Sequence, residues 1–190
     1  NLIFQNDRNM TAQGRYFNPL TALYLFPRGE NFEAIRMYER YNEGLGIYEQ
    51  YWPYDTQSME LQNPYWTMNR IVRENKKKRF MTNASLKWNI IDGIDITGRL
   101  KYDKTDMRST DKRHASTIEQ FASPYGGYYD IHKSYSSFYG DIMLNISKTF
   151  NDNMWSFNAN IGASINDQRE EQIGHGGNLE GIYNFFAITI

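Results

Sequence analysis

Four stretches in the second half of the chain alternate apolar and polar residues with a period of two. In FMTNASLKWNI, residues 80–90, the even-numbered positions carry no charge, and most odd-numbered positions are polar. Successive side chains of a β-strand point to opposite faces, so this period predicts strands. The same alternation occurs at 94–102, 138–146 and 155–165, again with no charge in the apolar set. We therefore expect antiparallel strands that each have one apolar face.

The connection between the first two strands fixes their register, because residues paired across a hairpin share a face. A two-residue turn at Asp92-Gly93 would mix the two faces. A three-residue loop, residues 91–93, pairs Ile90 with Ile94 and places Gly93 where such loops require a left-handed residue. For the second hairpin, a four-residue loop at 151–154 keeps the faces matched.

Two all-β architectures fit such strands: a β-sandwich in water and a transmembrane β-barrel. Periodicity alone favours the two almost equally. The runs have about the 9–11 residues that a tilted strand needs to cross a bilayer. Aromatic residues such as Phe80, Tyr102 and Trp155 stand at strand ends, as in interfacial girdles. Short turns at one end and long polar connections at the other are typical of outer-membrane barrels.

The sequence accordingly predicts antiparallel hairpins of a large transmembrane β-barrel, with long extracellular loops and one short loop helix. The expected strands cover about 80–90, 94–102, 138–150, 155–165 and 182–190, joined by loops at 103–134 and 166–180. Residues 1–79 are irregular and proline-rich, and we expect an extracellular loop region with a short helix near 32–43, capped by Asn31. The predicted lipid-facing residues are Leu86, Trp88, Ile96, Leu100, Ile142, Leu144, Phe157 and Ile161.

Composition excludes several functions. The 190 residues carry a net charge of −1, which gives no general field to attract nucleic acid. Mean hydropathy is −0.73, and no apolar run approaches the roughly 18 residues of a membrane-spanning helix. There are no cysteines, and the three histidines share no metal-ligand spacing. No catalytic motif is found, so we expect neither an enzyme nor a metal or other cofactor.

Four longer segments resemble a known family. They are GRYFNPLTALYLFPRG at 14–29, NPYW at 63–66, RENKKKRF at 73–80 and GIYNFFAI at 181–188. Together they resemble the SusC/RagA family of TonB-dependent transporters in the outer membrane of Gram-negative bacteria. Tyr183 departs from this pattern, because proline is expected before the Asn-Phe-Phe.

The resemblance implies a barrel of about 22 strands closed by a plug. It also implies energy from an inner-membrane TonB complex, a SusD-like surface lipoprotein as lid, and oligosaccharide or sometimes peptide substrates. This chain contains no plug domain and no segment for TonB, so we expect it to be an internal piece of the barrel. The alternative is a secreted β-sandwich that binds carbohydrate.

The first 79 residues are rich in side chains that anchor interfaces. Under the transporter hypothesis we expect Arg28, Tyr51, Trp52 and Trp66 to contact the lid or the substrate. The alternative is that these residues pack the loop onto itself.

Overall fold

The computed structural model describes residues 1–8, 14, 17–54, 61–150 and 154–187. Most of these residues lie in antiparallel β-sheet. The strands are β1 (Leu2–Arg8), β2 (Glu39–Asn42), β3 (Ile47–Gln50), β4 (Ile71–Ile91), β5 (Ile94–Arg113), β6 (Gly127–Phe150) and β7 (Trp155–Asn178). The helices are α1 (Pro19–Tyr24), a 3-10 helix (Phe32–Arg36) and α2 (Pro64–Arg70).

Five strands form one sheet in the order β1-β4-β5-β6-β7, and β2 and β3 form a separate hairpin. The strand β1 was not expected from the sequence. It joins β4 through mutual backbone bonds: Met81 N donates to Asn1 O (2.9 Å), and the amino terminus donates to Met81 O (2.7 Å). These partners are 80 residues apart. No local turn signal could therefore have revealed the pairing.

The four long strands extend well past their predicted ends. We expected β4 to begin at 80, β5 to end at 102, β6 to begin at 138 and β7 to end at 165, and each of these predictions is wrong. The expected loop at 103–134 shrinks to 114–126, and most of 166–180 is strand. In the extensions both faces carry charged residues, so no apolar period marks them. Cross-strand ion pairs such as Arg73–Asp111 (3.1 Å) join them instead.

The predictions for the helix near 32–43, for the residues that follow it and for the strand at 182–190 also differ from the structure. Asn31 does cap a helix, since its Oδ1 accepts from Glu33 N (3.0 Å), but the helix ends at Arg36 and not near 43. The following residues pair in the β2–β3 hairpin, where Tyr41 is opposite Tyr48. No strand occurs in residues 179–187, and the rest of the strand expected at 182–190 lies outside the described residues.

The chain divides into two compact units. The hairpin unit contains 1–4, 77–107 and 133–172, and the loop unit contains 5–76, 108–132 and 173–190. The core of the loop unit includes Ile35 and Trp66, both fully buried. Among the described residues, none of the helices is long and apolar enough to cross a membrane.

The hairpin unit keeps its apolar and polar residues on separate faces. On the apolar face, the Phe80 and Tyr102 rings lie 6.4 Å apart, and a Cβ on Gly140 would contact Leu100 Cδ2 at 3.2 Å. Large apolar side chains on this face are exposed, and Leu86 retains 74% of its accessible surface. The described part of this unit therefore has a broad apolar surface that no second layer covers.

Polar side chains on the opposite face bind one another across strands. Arg99 Nε donates to Asp141 Oδ1 (3.0 Å), and Asn145 Nδ2 donates to Asp95 Oδ2 (2.7 Å). Lys87 adds an ion pair to Asp95 at 3.3 Å. Polar residues on this face are thus linked across three strands. The even-numbered face of β5 also carries an ion pair beyond its apolar run, between Lys104 and Asp106 (3.9 Å).

The β4–β5 turn follows the predicted chemistry. Gly93 has φ +77°, the left-handed conformation predicted for it. A Cβ at this position would lie 2.1 Å from Ser147 O, so only glycine fits. The strand β4 continues to Ile91, so residues 92–93 and not 91–93 lie between the two strands. In the loop predicted between β6 and β7, residues 151–153 lie outside the described part of the chain.

Candidate ligand site in the loop unit

Asn63 is the hub of the loop unit. Its fully buried side chain donates from Nδ2 to Ile35 O (2.8 Å) and to Tyr51 O (3.0 Å). Its Oδ1 accepts from Tyr65 N (2.9 Å) and so caps α2, whose first residue is Pro64. One amide thereby holds two separate loop segments against the start of a helix.

A second set of hydrogen bonds fixes the connection between β5 and β6. Trp66 Nε1 donates to Thr117 Oγ1 (3.2 Å), and Ile118 N donates to Gln62 Oε1 (3.3 Å). Both Trp66 and Gln62 are buried, so these bonds are shielded from water. The segment 114–126 is held in one conformation by side chains from the segment before α2 and from α2 itself.

The β2–β3 hairpin is tied to the same connection. Gln50 N donates to Ser116 Oγ (2.9 Å), and Gln50 Nε2 donates to Ser116 O (3.2 Å). The Gln50 Oε1 atom accepts from Asn63 N (2.7 Å). Ser116 has φ +73°, a strained conformation for a residue other than glycine, which these bonds hold in place.

These contacts border an open cavity of about 670 Å³, which we call the loop cavity. Its size is within the usual range for small-molecule sites, about 300–1,000 Å³. Its lining includes two carboxylates, two amides and two aromatic rings, namely Glu49, Glu119, Gln50, Gln120, Trp52 and Tyr183. No lysine, arginine or histidine occurs among the described lining residues. Rings beside amide and carboxylate acceptors suit a neutral, hydroxyl-rich ligand.

Trp52 occupies a cluster of aromatic rings at the wall of the loop cavity. Its ring lies 5.1 Å from that of Tyr54 and 6.4 Å from that of Phe26. Its indole Nε1 is buried and has no hydrogen-bond partner among the described residues. A buried donor without a partner is uncommon.

Two ionisable groups of the loop unit, outside the cavity lining, have shifted pKa values. Arg70 Nε donates to Glu39 Oε2 (2.6 Å), and this bond raises the pKa of the Arg70 guanidinium. Burial lowers the pKa of His114, whose Nδ1 is 2.7 Å from Arg70 O. His114 is therefore neutral at pH 7, and Arg70 stays cationic.

The four predicted contact residues have different environments. Trp66 is fully buried with its Nε1 satisfied, so a contact role does not fit it, and the alternative of loop packing does. Trp52 lines the loop cavity. Tyr51 lies beneath Arg40, with the guanidinium carbon 3.6 Å from its ring centre. Arg28 is exposed after α1. The structure thus does not gather the four residues into one site.

The sequence did not reveal most of the cavity lining. Glu49, Gln50, Glu119, Gln120 and Tyr183 come from three segments that are distant in the chain. No motif spacing links them, because long-range hydrogen bonds bring them together. Only the density of aromatic residues around Trp52 pointed to this region. Among the described residues, no group of acidic or histidine side chains could hold a metal ion.

Comparison with models of known protein families gives no match to this chain. A search of curated proteins also gives no significant match. The assignment of function therefore depends on the physical features of the two units and on the resemblance of the four sequence segments.

Proposed function

We propose that the chain is part of a transmembrane β-barrel in the outer membrane of a Gram-negative bacterium. One observation carries this proposal: the hairpin unit has a broad exposed apolar face opposite a face of laced charges. Lipid covers the first face, and the second lines a polar lumen. Six of the eight predicted lipid-facing residues are exposed, among them Leu86, Trp88 and Ile161. The other two, Ile96 and Leu144, are half-buried.

Strand length supports the barrel over the sandwich. Strands in globular proteins usually have about 3–10 residues, whereas β4 to β7 have 20–24. A tilted strand crosses a bilayer with about 9–11 residues. The remaining residues of each strand carry charges on both faces, which suits an extension into water. A secreted sandwich would also need a second sheet over the apolar face.

We further propose that the barrel belongs to a TonB-dependent importer of oligosaccharides. The four family-like segments support the transporter class, and the loop cavity supports a hydroxyl-rich substrate. Energy would come from a TonB complex through parts of the protein other than this chain.

The same proposal gives α1 a role in binding a SusD-like lipoprotein. Its side chains Leu20, Leu23 and Tyr24 are exposed, and Leu25 continues this apolar surface. Arg28 is exposed nearby in the chain. Exposed aliphatic and aromatic residues beside an arginine are typical of interface anchors.

Cysteine labelling tests the orientation, because the chain has no cysteine of its own. Tyr24 and Met154 are 84% and 72% exposed, and the proposal puts them on opposite sides of the membrane. In whole cells, a membrane-impermeant maleimide should label Tyr24→Cys but should label Met154→Cys only after permeabilisation. The protein without added cysteine is the control. Equal labelling of both variants in whole cells would contradict the spanning arrangement.

Substitution of Trp52 tests the loop cavity. In the intact protein, Trp52→Ala should weaken binding of the imported oligosaccharide about tenfold, or about 1.4 kcal/mol, because a stacking ring is lost. Trp52→Phe keeps a ring and should lose less. Tyr41→Ala removes an exposed ring that does not line the cavity and should leave affinity unchanged. Isothermal titration measures all three, and equal affinities would exclude this cavity as the substrate site.

A further inference from the structure

A second, smaller cavity lies on three adjacent strands within the loop unit. It has a volume of about 160 Å³, and we call it the basic cleft. Its lining consists of Glu74 and Lys76 from β4, Arg108, Thr110 and Lys112 from β5, and Tyr128 from β6. Three cations against one carboxylate give this small space a positive charge.

Two of the three cations of the basic cleft, Lys76 and Arg108, are paired with nearby carboxylates. Glu74 accepts from Arg8 Nε (2.8 Å) and lies 3.4 Å from Lys76 Nζ, contacts that lower the pKa of the Glu74 carboxyl. Arg108 Nη2 donates to Asp130 Oδ2 at 2.6 Å. This ion pair raises the pKa of Arg108 and lowers that of Asp130, so both stay charged. An anion entering the cleft therefore meets paired carboxylates.

Lys112 is the cation with the weakest attachment. No carboxylate lies within ion-pair distance of it among the described residues, and its Nζ is 5.6 Å from the Phe186 ring centre. A cation–π contact holds the side chain in place without neutralising its charge. The Thr110 hydroxyl adds a hydrogen-bond donor beside it. Lys112 and Thr110 are thus available to an incoming oxyanion.

The volume of the basic cleft and its donor groups suit a compact anion. The cleft is smaller than the roughly 300 Å³ at which drug-sized sites begin, so it admits a small group rather than a sugar chain. Arginine presents a planar fork to oxyanions, and lysine is a compact point charge suited to phosphate. A phosphate group satisfies both kinds of donor.

The charge and size of the basic cleft indicate the chemistry of its ligand. We infer that the basic cleft binds a phosphate group. This chemistry has two sources, a soluble phosphorylated ligand and, under the proposed function, a glycolipid of the outer leaflet. The glycolipid source rests on the proposed function, which assigns the apolar face of the hairpin unit to lipid.

Charge removal in the intact, detergent-purified protein tests this inference. The test variant is Lys76→Gln with Lys112→Gln, and the matched control is Lys104→Gln with Arg169→Gln, which removes two charges outside the cleft. Arg108 is kept, because its loss would remove the arginine that pairs with the buried carboxylate of Asp130. The probes are bisphosphorylated lipid A, its dephosphorylated form and inorganic pyrophosphate, with binding followed by native mass spectrometry.

We expect the test variant to bind bisphosphorylated lipid A about tenfold more weakly, since two exposed ionic contacts are lost. The control variant should bind as the unmodified protein does. Lys76→Arg with Lys112→Arg should restore binding, which separates charge from misfolding. Unchanged binding in the test variant, or equal binding of the dephosphorylated lipid, would overturn the inference.

Inorganic pyrophosphate shows whether the cleft recognises a phosphate carried by a lipid or any soluble phosphate. If it binds as tightly as the lipid, the lipid source is overturned. Failure of the proposed function would appear separately, in the cysteine labelling. A lipid-binding failure in a protein that labels as expected would overturn the cleft inference alone.

Discussion

Leu86→Arg is expected to prevent assembly of the intact protein in the outer membrane, whereas Ser85→Arg is expected to leave assembly unchanged. The two residues are neighbours in β4 and lie on opposite faces of the sheet. An arginine at the bilayer midplane of a barrel costs about 2–4 kcal/mol, whereas lumen positions tolerate it. The pair therefore compares the same charge on the two faces of one strand.

The exposure of Leu86 allows this comparison to distinguish a side chain in contact with lipid from one in contact with water. With 74% of its surface accessible, Leu86 contacts little of this chain. In a protein surrounded by water, arginine at such a position would change stability by only about 0.5 kcal/mol. The measurement is the amount of folded, protease-resistant protein in the outer-membrane fraction. Normal levels of both variants would contradict lipid contact at Leu86, and loss of both would contradict the assignment of faces.

The faces of the hairpin unit were predictable because one face carries no charge over residues 80–90, 94–102, 138–146 and 155–165. Alternation in the sequence separates Leu100 from Arg99, and the structure pairs Arg99 with Asp141 on the polar face. The left-handed conformation of Gly93 was equally predictable from the sequence, although two residues and not three separate β4 from β5. These features depend on neighbours in the sequence, and so a pattern can reveal them.

The ends of the strands were not predictable from alternation. From Asp103 to Arg113 the residues of β5 are mostly polar on both faces, so the period of two carries no hydrophobic signal. The strand continues because its side chains find partners on adjacent strands, as Asp111 does with Arg73 and Arg108 does with Asp130. Such pairs join residues that are tens of positions apart. The resulting charged strand resembles a polar loop when only the sequence is considered.

The sequence indicated the region of the candidate site but not the residues that line it. Trp52 and Trp66 look equivalent in an aromatic-rich segment, yet only Trp52 lines the loop cavity. Trp66 is buried because α2 turns it towards Thr117, which lies 51 residues later. The direction of α2 depends in turn on the cap and on the bonds of Asn63. The hydrogen bonds of Asn63 determine which residues of this unit are buried. Hydrophobic patterns in the sequence do not reveal such bonds.

Asn63→Ala is accordingly expected to destabilise the loop unit by at least about 3 kcal/mol. The substitution removes the N-cap of α2, which costs about 1 kcal/mol, and leaves two backbone acceptors without their donor at about 1–3 kcal/mol each. Those acceptors are the carbonyl oxygens of Ile35 and Tyr51. Asn69→Ala is the matched control, because Asn69 is exposed and makes one bond, to Tyr65 O.

A third variant separates the two functions of the Asn63 amide. Serine is a good N-cap but is too short to reach the two carbonyl groups, so Asn63→Ser should recover only the smaller part of the loss. Limited proteolysis of the folded protein reports local opening of the loop unit, and the cleavage rate gives its free energy. Full recovery with serine would show that Asn63 acts as a cap alone. If alanine at 63 were no more harmful than alanine at 69, the hub would be excluded, and the loop cavity would have to be held by other contacts.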